Sequence, residues 1–167
     1  MKQQNDNNMT SSIMRPYIIC HMMASIDGRI DCSMVDKISG DEYYTALGEL
    51  DCPSTLEGRV TMEHYSALEG HYAAKDPAPA MKTLRGEFGV ERLALLGGGN
   101  INGGFLAAGL IDEVSLMIGQ GIDGRKGQTA VFDGIADEGW MPAKMALADV
   151  KRLDCGTVWL RYRAERP

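Results

Sequence analysis

Three consecutive glycines, Gly97–Gly99, follow directly after the apolar run Leu93–Leu96 and precede a short segment of helical character. A phosphate group approaches a backbone closely only where side chains are absent. The first turn of a following helix then supplies free N–H groups and the positive end of the helix dipole. The segment therefore predicts a phosphate-binding turn, although its spacing is neither GxGxxG nor a Walker motif. The alternative is a tight turn that needs glycine only for a positive φ angle.

A second set of hydrogen-bond donors lies at Gly58-Arg59-Val60-Thr61, where a weak predicted strand gives way to a short helix. An arginine and a hydroxyl at a helix N-terminus can hold another phosphate, because the guanidinium presents a planar fork of donors. Taken alone, the segment favours a simpler interpretation. In that interpretation Arg59 faces solvent and Thr61 caps the helix.

The segment Ser25-Ile26-Asp27-Gly28 follows the first predicted strand. Ligands of open α/β sheets lie beyond the carboxyl ends of the strands, so Asp27 is well placed for chemistry. An ordinary Asp-Gly turn remains the simpler interpretation of these residues alone. His21 lies within the preceding apolar run and is interpreted as a hydrogen-bonded core residue rather than a base. No cysteine, histidine or carboxylate spacing predicts a metal site.

Composition limits the classes of protein that need to be considered. The 167 residues fit one domain, and 44% hydrophobic with 24% charged residues is ordinary for a globular protein. A net charge of −6 argues against a nucleic-acid partner. No apolar run is long enough to span a bilayer, so no membrane partner is expected. Four scattered cysteines without a CxxC pair predict a reduced, cytoplasmic protein. Residues 1–13 are polar and are predicted to be a disordered leader.

The hydrophobic pattern predicts strands and helices in alternation. The strands are expected at 15–24, 54–57, 91–96 and 112–118, and the helices at 39–50, 58–67, 81–88 and 102–110. Ser39 and Glu42 predict a capping box at the start of the first helix. The segments 143–154 and 157–163 flank Cys155-Gly156 as an antiparallel hairpin. This order predicts a three-layer α/β domain with a mainly parallel sheet and an antiparallel C-terminal edge.

The succession of SxDG at Ser25–Gly28, GRxT at Gly58–Thr61 and a strand followed by Gly97–Gly99 resembles the dihydrofolate-reductase fold. It resembles more closely the reductase domain at the C-terminus of bifunctional riboflavin-biosynthesis deaminase–reductases and its stand-alone relatives. The most specific stretch is Val90–Gly121, and the match touches most of residues 15–163. The resemblance implies an enzyme that uses NADPH to reduce a small pterin- or aminopyrimidine-like substrate. The activity implied by the resemblance is similar to that of the 5-amino-6-(5-phosphoribosylamino)uracil reductase of the riboflavin pathway.

The resemblance also implies roles for individual residues. The glycine turn and the residues behind it would cradle the NADPH pyrophosphate: Gly97, Gly98, Gly99, Asn100 and Ile101. The facing segment would hold the phosphates and ribose on the adenosine side: Gly58, Arg59 and Thr61. The segment from Ala24 to Gly28 would cover the nicotinamide, with Ser25, Asp27 and Gly28 at the substrate. Asp27 is the candidate catalytic residue, and either it or solvent would supply a proton to the substrate.

Two features differ from the family pattern. The deaminase-linked reductases usually carry a glutamate immediately before the paired glycines, where this chain has Leu96. We also expect a family segment to be missing around residues 76–81, within an otherwise single reductase domain at 14–167. A homodimer could cover the sheet edge that such a deletion exposes. These differences motivate an alternative function, a non-catalytic nucleotide-binding or regulatory domain of the same fold.

Overall fold

The apolar runs of the sequence form the centre of one mixed sheet. The structure, a computed structural model, describes residues 14–38, 40–58 and 76–165. Within these ranges the elements are β1 (Tyr17–Ala24), α1 (Cys32–Ile38), α2 (Glu42–Glu49), β2 (Ser54–Leu56), α3 (Ala78–Gly86), β3 (Arg92–Leu95), α4 (Gly99–Ala107), β4 (Glu113–Ile118), β5 (Met145–Arg152) and β6 (Val158–Ala164).

The sheet has the strand order β2-β3-β1-β4-β6-β5. Strands β2, β3, β1 and β4 are parallel, whereas β6 pairs antiparallel with both β4 and β5. Seven of the eight residues of β1 are buried, as a continuous apolar run in the middle of a sheet requires. The predicted mainly parallel sheet with an antiparallel C-terminal hairpin is confirmed.

Helices cover the two faces of this sheet and enclose two cores. On one face, Met81 of α3 and Phe105 of α4 pack with Ile18, Leu93 and Leu95. On the other face, Ala46 of α2 packs with Ile19, Met23, Met117 and Trp159. The predicted three-layer α/β class is therefore confirmed. No helix of the described chain is both long and apolar enough to cross a membrane.

Several predicted helix boundaries are wrong. Helix α1 was not predicted at all. Helix α3 begins at Ala78 rather than at residue 81, because the Asp76 carboxylate accepts a hydrogen bond from the Ala78 amide at 2.9 Å. Helix α4 begins at Gly99 rather than at residue 102. The glycine turn thus leads straight into the helix.

The predicted capping box of α2 is also wrong. The N-cap residue is Asp41, and its side chain makes no capping hydrogen bond. The Glu42 carboxylate accepts hydrogen bonds from the Gly40 amide at 2.7 Å and from the Thr157 hydroxyl at 3.3 Å. Ser39 and the helix predicted at 58–67 lie outside the described residues, apart from Gly58.

Candidate active site

The carboxyl ends of four parallel strands meet at one edge of the sheet, and the predicted site residues follow three of these strands. Gly58 follows β2, Gly97 follows β3, and Ala24 ends β1. The contact between Gly58 and Gly97 is direct, because the Gly58 amide donates to the Gly97 carbonyl at 2.5 Å. A Cβ atom on Gly58 would lie only 2.8 Å from that carbonyl oxygen. Two segments that are far apart in the sequence therefore form one surface.

The three consecutive glycines differ in what surrounds them. Gly97 is buried, has a φ angle of 87°, and precedes a cis peptide bond to Gly98. A Cβ atom on Gly97 would lie 2.7 Å from the Met22 sulfur, and one on Gly99 would overlap the Ala130 carbonyl. Both glycines are thus required by close packing inside the protein. Their assignment to a phosphate site stays a prediction.

Gly98 is the open member of the turn. It is partly exposed, and the heavy atom nearest to a Cβ atom added there is the Ile30 methyl, at 3.9 Å. Gly98 is also the N-cap residue of α4. The amides of Gly99, Asn100 and Ile101 belong to the first helical turn, where N–H groups have no partner within the helix. The positive end of the α4 dipole points the same way, so this surface suits an anionic oxygen group.

The turn after β1 is closed by its own side chains. The buried Ser25 hydroxyl donates to the Asp27 carboxylate at 2.6 Å and accepts from the Arg29 amide at 3.0 Å. The same carboxylate accepts from the Asp123 and Gly124 amides, both at 3.0 Å. Asp27 therefore holds the loop after β4 against the end of β1.

These hydrogen bonds also determine the charge of Asp27. The Ser25 hydroxyl, followed by the Asp123 and Gly124 amides, holds the pKa of the Asp27 carboxyl far below its usual range. A carboxyl group in this state is ionised at neutral pH and has no proton to give. Of the two proton sources that the sequence leaves open, this geometry favours solvent.

The loop 119–134 contributes to the site, although no sequence pattern predicted this. Its Gly121 carbonyl accepts from the Ile26 amide at 2.7 Å, and its Ala130 pairs with Arg29 in an isolated β-bridge. The Asn102 side chain, buried in α4, donates to the Val131 carbonyl at 2.7 Å. The loop thus connects the β1 turn to the glycine turn. Its many glycines gave only a general loop signal.

Arg125 fastens the outer part of this loop. Its guanidinium donates to Asp123 at 2.5 Å and to Asp31, which precedes α1, at 3.1 Å. These two carboxylates raise the pKa of Arg125 above its usual value. The three charges form a network at the rim beside Asp27.

Histidine 21 is a core residue, as its apolar surroundings predicted. It is fully buried, and its Nδ1 lies 2.9 Å from the Ser115 hydroxyl while its Nε2 lies 3.1 Å from the Tyr43 carbonyl. The Trp159 indole donates to that hydroxyl at 2.7 Å, so the hydroxyl proton points to Nδ1 and Nε2 carries the ring proton. Burial lowers the pKa of His21 to about 4. The imidazole is therefore neutral at physiological pH.

Two predicted ligands of the adenosine side, Arg59 and Thr61, lie outside the described residues. Among the residues that are described, no group of three or more histidines, cysteines and carboxylates could hold a metal ion.

The fold and this edge define an α/β protein of the dihydrofolate-reductase-like class, with an open helix N-terminus beside the end of the central strand. The particular family is shown by its sequence model, the RibD C-terminal domain, which matches residues 52–159. The chain belongs to this family. A comparison with curated proteins finds no match.

Solved structures share the fold at low sequence identity. RibD from Acinetobacter baumannii superposes with a TM-score of 0.76 at 16% identity, over 94% of this chain and 59% of that one. A pyrimidine reductase-like protein from Corynebacterium diphtheriae gives 0.75 at 13%, over 94% and 95% of the two chains. The Saccharomyces riboflavin biosynthesis reductase Rib7 gives 0.61 at 14%, over 96% and 94%. This chain thus spans a little over half of the RibD chain.

Proposed function

We propose that this chain is an NADPH-dependent reductase that transfers a hydride to a small aminopyrimidine- or pterin-like substrate. Membership of the RibD C-terminal domain family supports a reductase of the riboflavin-pathway kind. The observation that carries the proposal is the open backbone of Gly98 at the N-terminus of α4, beside Gly58 and the end of β1. Within this substrate class, the compound that the proposal favours is 5-amino-6-(5-phosphoribosylamino)uracil.

The residues present fit the pyrophosphate of a dinucleotide. Gly98 leaves room for an anionic group, and the first-turn amides of Gly99, Asn100 and Ile101 can donate to it. The tight packing of Gly97 on Met22 fixes the backbone that bears them. In this proposal Gly58, Arg59 and Thr61 hold the adenosine side, and Ala24 lies at the nicotinamide. A bound NADPH would supply the hydride.

The chain itself would orient and shield the reactants. Ser25, Asp27 and Gly28 form the turn at the substrate, and the ionised Asp27 holds the loop after β4 in place over it. Placing two reactants in a fixed geometry removes much of the entropic cost of their reaction. Asp27 therefore acts in this proposal by positioning, and the substrate proton comes from solvent.

The decisive experiment measures NADPH oxidation at 340 nm with a panel of dihydrofolate, other pterins and aminopyrimidine ribosyl phosphates. We expect turnover of at least one aminopyrimidine or pterin, together with a rise in melting temperature on adding NADPH, because a ligand of the folded state stabilises that state. The absence of both effects at millimolar NADPH would contradict the proposal.

The alternative function is a non-catalytic nucleotide-binding or regulatory domain. Leu96 favours it, because this apolar side chain stands where the family resemblance implies a glutamate. It predicts thermal stabilisation by NADPH without oxidation by any member of the panel. Turnover of a single substrate excludes it.

Further parts of the proposal concern the surroundings of the enzyme. We propose a cytoplasmic protein that acts on a small molecule as a homodimer. It would require neither nucleic acid nor a membrane, in keeping with the net charge of −6.

A further inference from the structure

Arg29 is a partly buried arginine that pairs with no carboxylate of the described chain. It lies in the turn after β1, and its Nη1 donates to the Gln128 carbonyl at 2.5 Å. Its Nε is shielded from solvent and has no hydrogen-bond partner within the same part of the chain. A charge that is withdrawn from water without a counter-ion destabilises a protein. Arg29 therefore lacks the partner that its burial calls for.

The other partly buried arginines in the described ranges have such partners. Arg15, Arg85 and Arg161 each form an ion pair with a carboxylate. Arg92 donates to two carbonyls at the C-terminal end of α2, where the helix dipole is negative. The charge of Arg29 is offset in neither of these ways.

The backbone contacts of Arg29 place it beside the open start of α4. Arg29 and Ala130 form an isolated β-bridge, and the Ala130 carbonyl is the atom that a Cβ atom on Gly99 would overlap. The next residue, Ile30, has a methyl group 3.9 Å from the position of a Cβ atom on Gly98. Arg29 is thus one residue from the surface at which the phosphate site is proposed.

The backbone of Arg29 is also fixed on both sides. Its amide donates to the Ser25 hydroxyl at 3.0 Å, and its carbonyl accepts from the Ser25 amide at 2.9 Å. Ser25 is itself buried. A side chain on a fixed backbone loses less freedom on binding, so less of the binding free energy is lost to ordering. The position of Arg29 is therefore set before a ligand binds.

We propose that Arg29 supplies positive charge to this surface, by donating hydrogen bonds from its guanidinium to a phosphoryl oxygen of the bound ligand. The N–H groups of a helix start carry only partial charge, whereas a guanidinium and a phosphate form the stronger, charge-assisted kind of hydrogen bond. A chain of net charge −6 also needs a local cation to attract a phosphorylated ligand. The oxygen belongs either to NADPH or to the phosphate of a ribosyl phosphate substrate, which present the same chemistry. This inference rests on the proposed function, because that function brings a phosphorylated ligand to this edge of the sheet.

Calorimetric titration of NADPH, inorganic pyrophosphate and ribose 5-phosphate into the full chain tests the inference. In Arg29→Gln, the new side chain can still donate to the Gln128 carbonyl but carries no charge. We expect the Kd for at least one of the three ligands to rise roughly tenfold or more. Arg29→Lys should lie between this variant and the wild type, because lysine keeps the charge but not the planar fork of donors.

The pattern among the three ligands identifies the source of the oxygen. Weaker binding of NADPH and pyrophosphate assigns it to the cofactor. Weaker binding of ribose 5-phosphate alone assigns it to the substrate. Either pattern supports the role of Arg29.

A matched control and a stability measurement separate binding from a structural role. Arg163 is exposed at the amino end of β4, opposite the candidate active site. Arg163→Gln should leave each Kd within about twofold of the wild type, because distant exposed charges are screened by salt. Ligand-free Arg29→Gln should melt at no lower temperature than the wild type, because the change removes an unpaired charge.

Two results overturn the inference. One is an Arg29→Gln variant that binds all three ligands as tightly as the wild type, even though the wild type oxidises NADPH, and this leaves the proposed function intact. The other is a wild type that binds none of the three ligands and oxidises no NADPH, and this removes the proposed function as well.

Discussion

At the residue scale, Asp27 is the candidate catalytic residue of the sequence, and in the structure its carboxylate holds the turn after β1 and the loop after β4 together. Its carboxylate accepts from one hydroxyl and two loop amides while remaining exposed to solvent. The resulting low pKa keeps it charged, so its contribution lies in fixing the loop after β4 beside the substrate turn. A general acid would need the opposite shift.

Replacing Asp27 by asparagine tests this role. The asparagine side chain keeps the shape of the carboxylate, but its NH2 group cannot accept a hydrogen bond from a backbone amide of the loop. One hydrogen bond to the loop should therefore be lost, and the loop should loosen. We expect KM for NADPH or substrate to rise roughly three- to tenfold, the equivalent of one ordinary hydrogen bond, with kcat changed less than about threefold. Steady-state kinetics across pH 5–9 measures both constants. A fall in kcat of a hundredfold with unchanged KM, or loss of one limb of the pH profile, would identify Asp27 as a proton donor.

A second prediction at the residue scale concerns two glycines at which substitution by alanine should change the stability of the fold in opposite directions. Gly97 has a φ angle of 87°, which costs an L-residue about 1–2 kcal/mol, and an added Cβ atom would also press on the Met22 side chain, so Gly97→Ala should destabilise the fold by at least that amount. Gly104 lies within α4 with open space around it, so Gly104→Ala should stabilise the fold by about 0.5–1 kcal/mol. Urea unfolding measures both changes. Equal effects at the two sites would contradict the described backbone.

At the element scale, α4 and the loop 129–134 act as one unit. The loop packs against Gly99 and Gly103, where added Cβ atoms would overlap the carbonyls of Ala130 and Asp133. The Asp133 amide donates to the Gly99 carbonyl at 3.0 Å. These contacts explain glycine in the interior of a helix, where it is intrinsically unfavourable. They also fix the helix end that faces the proposed pyrophosphate.

Asn102 is the buried link in that unit, and its removal tests the link. Asn102→Ala should cost about 1–3 kcal/mol of folding free energy, because it leaves the buried Val131 carbonyl without its donor. Chemical denaturation gives the value. The exposed Lys126, in the loop 119–134, provides a comparison, because Lys126→Ala should change stability by less than about 0.5 kcal/mol. A similar small effect at Asn102 would show that the loop is held by other contacts.

The elements also show what can be inferred from sequence and what cannot. The apolar runs in β1 and β3 predicted central strands because burial on both faces leaves a continuous signal. In β4 apolar residues alternate with other residues, which predicts that Val114, Leu116 and Ile118 face the core. The more deeply buried residues are instead Glu113, Ser115 and Met117. Their polar members are satisfied by Arg161 and by Trp159, contacts that no local pattern encodes. Helix α1 was missed because it is short.

The candidate active site likewise has parts that the sequence predicts and parts that only the tertiary fold determines. Local residue types located Gly58, Gly97–Gly99 and Ser25–Gly28, and the parallel strands bring them to one edge. The contribution of the loop 119–134 depends on hydrogen bonds between residues about a hundred positions apart, such as those that the Asp27 carboxylate accepts from the Asp123 and Gly124 amides. Distances of this kind follow from the tertiary fold and leave no spacing in the sequence.

At the scale of the whole molecule, the buried His21 links stability to pH. Its pKa of about 4 in the folded state lies below the ordinary value of 6.5, so the unfolded chain binds the extra proton as pH falls. Folding free energy should be at its full value above pH 6.5 and decline towards pH 4, by about 2 kcal/mol at pH 5. Urea unfolding at pH 7 and pH 5 measures the difference. In His21→Gln the decline should shrink by most of that amount, and an unchanged decline would assign it to other groups.

The central claim is that NADPH binds over Gly98 at the start of α4, and calorimetric titration of NADPH into matched variants tests it most directly. Gly98→Val fills the open space with a side chain, whereas Gly104→Val adds the same group farther along the helix, also in open space. The account predicts saturable binding to the wild type and to Gly104→Val, and none to a folded Gly98→Val at millimolar NADPH. Binding to Gly98→Val within twofold of the wild-type affinity would contradict it.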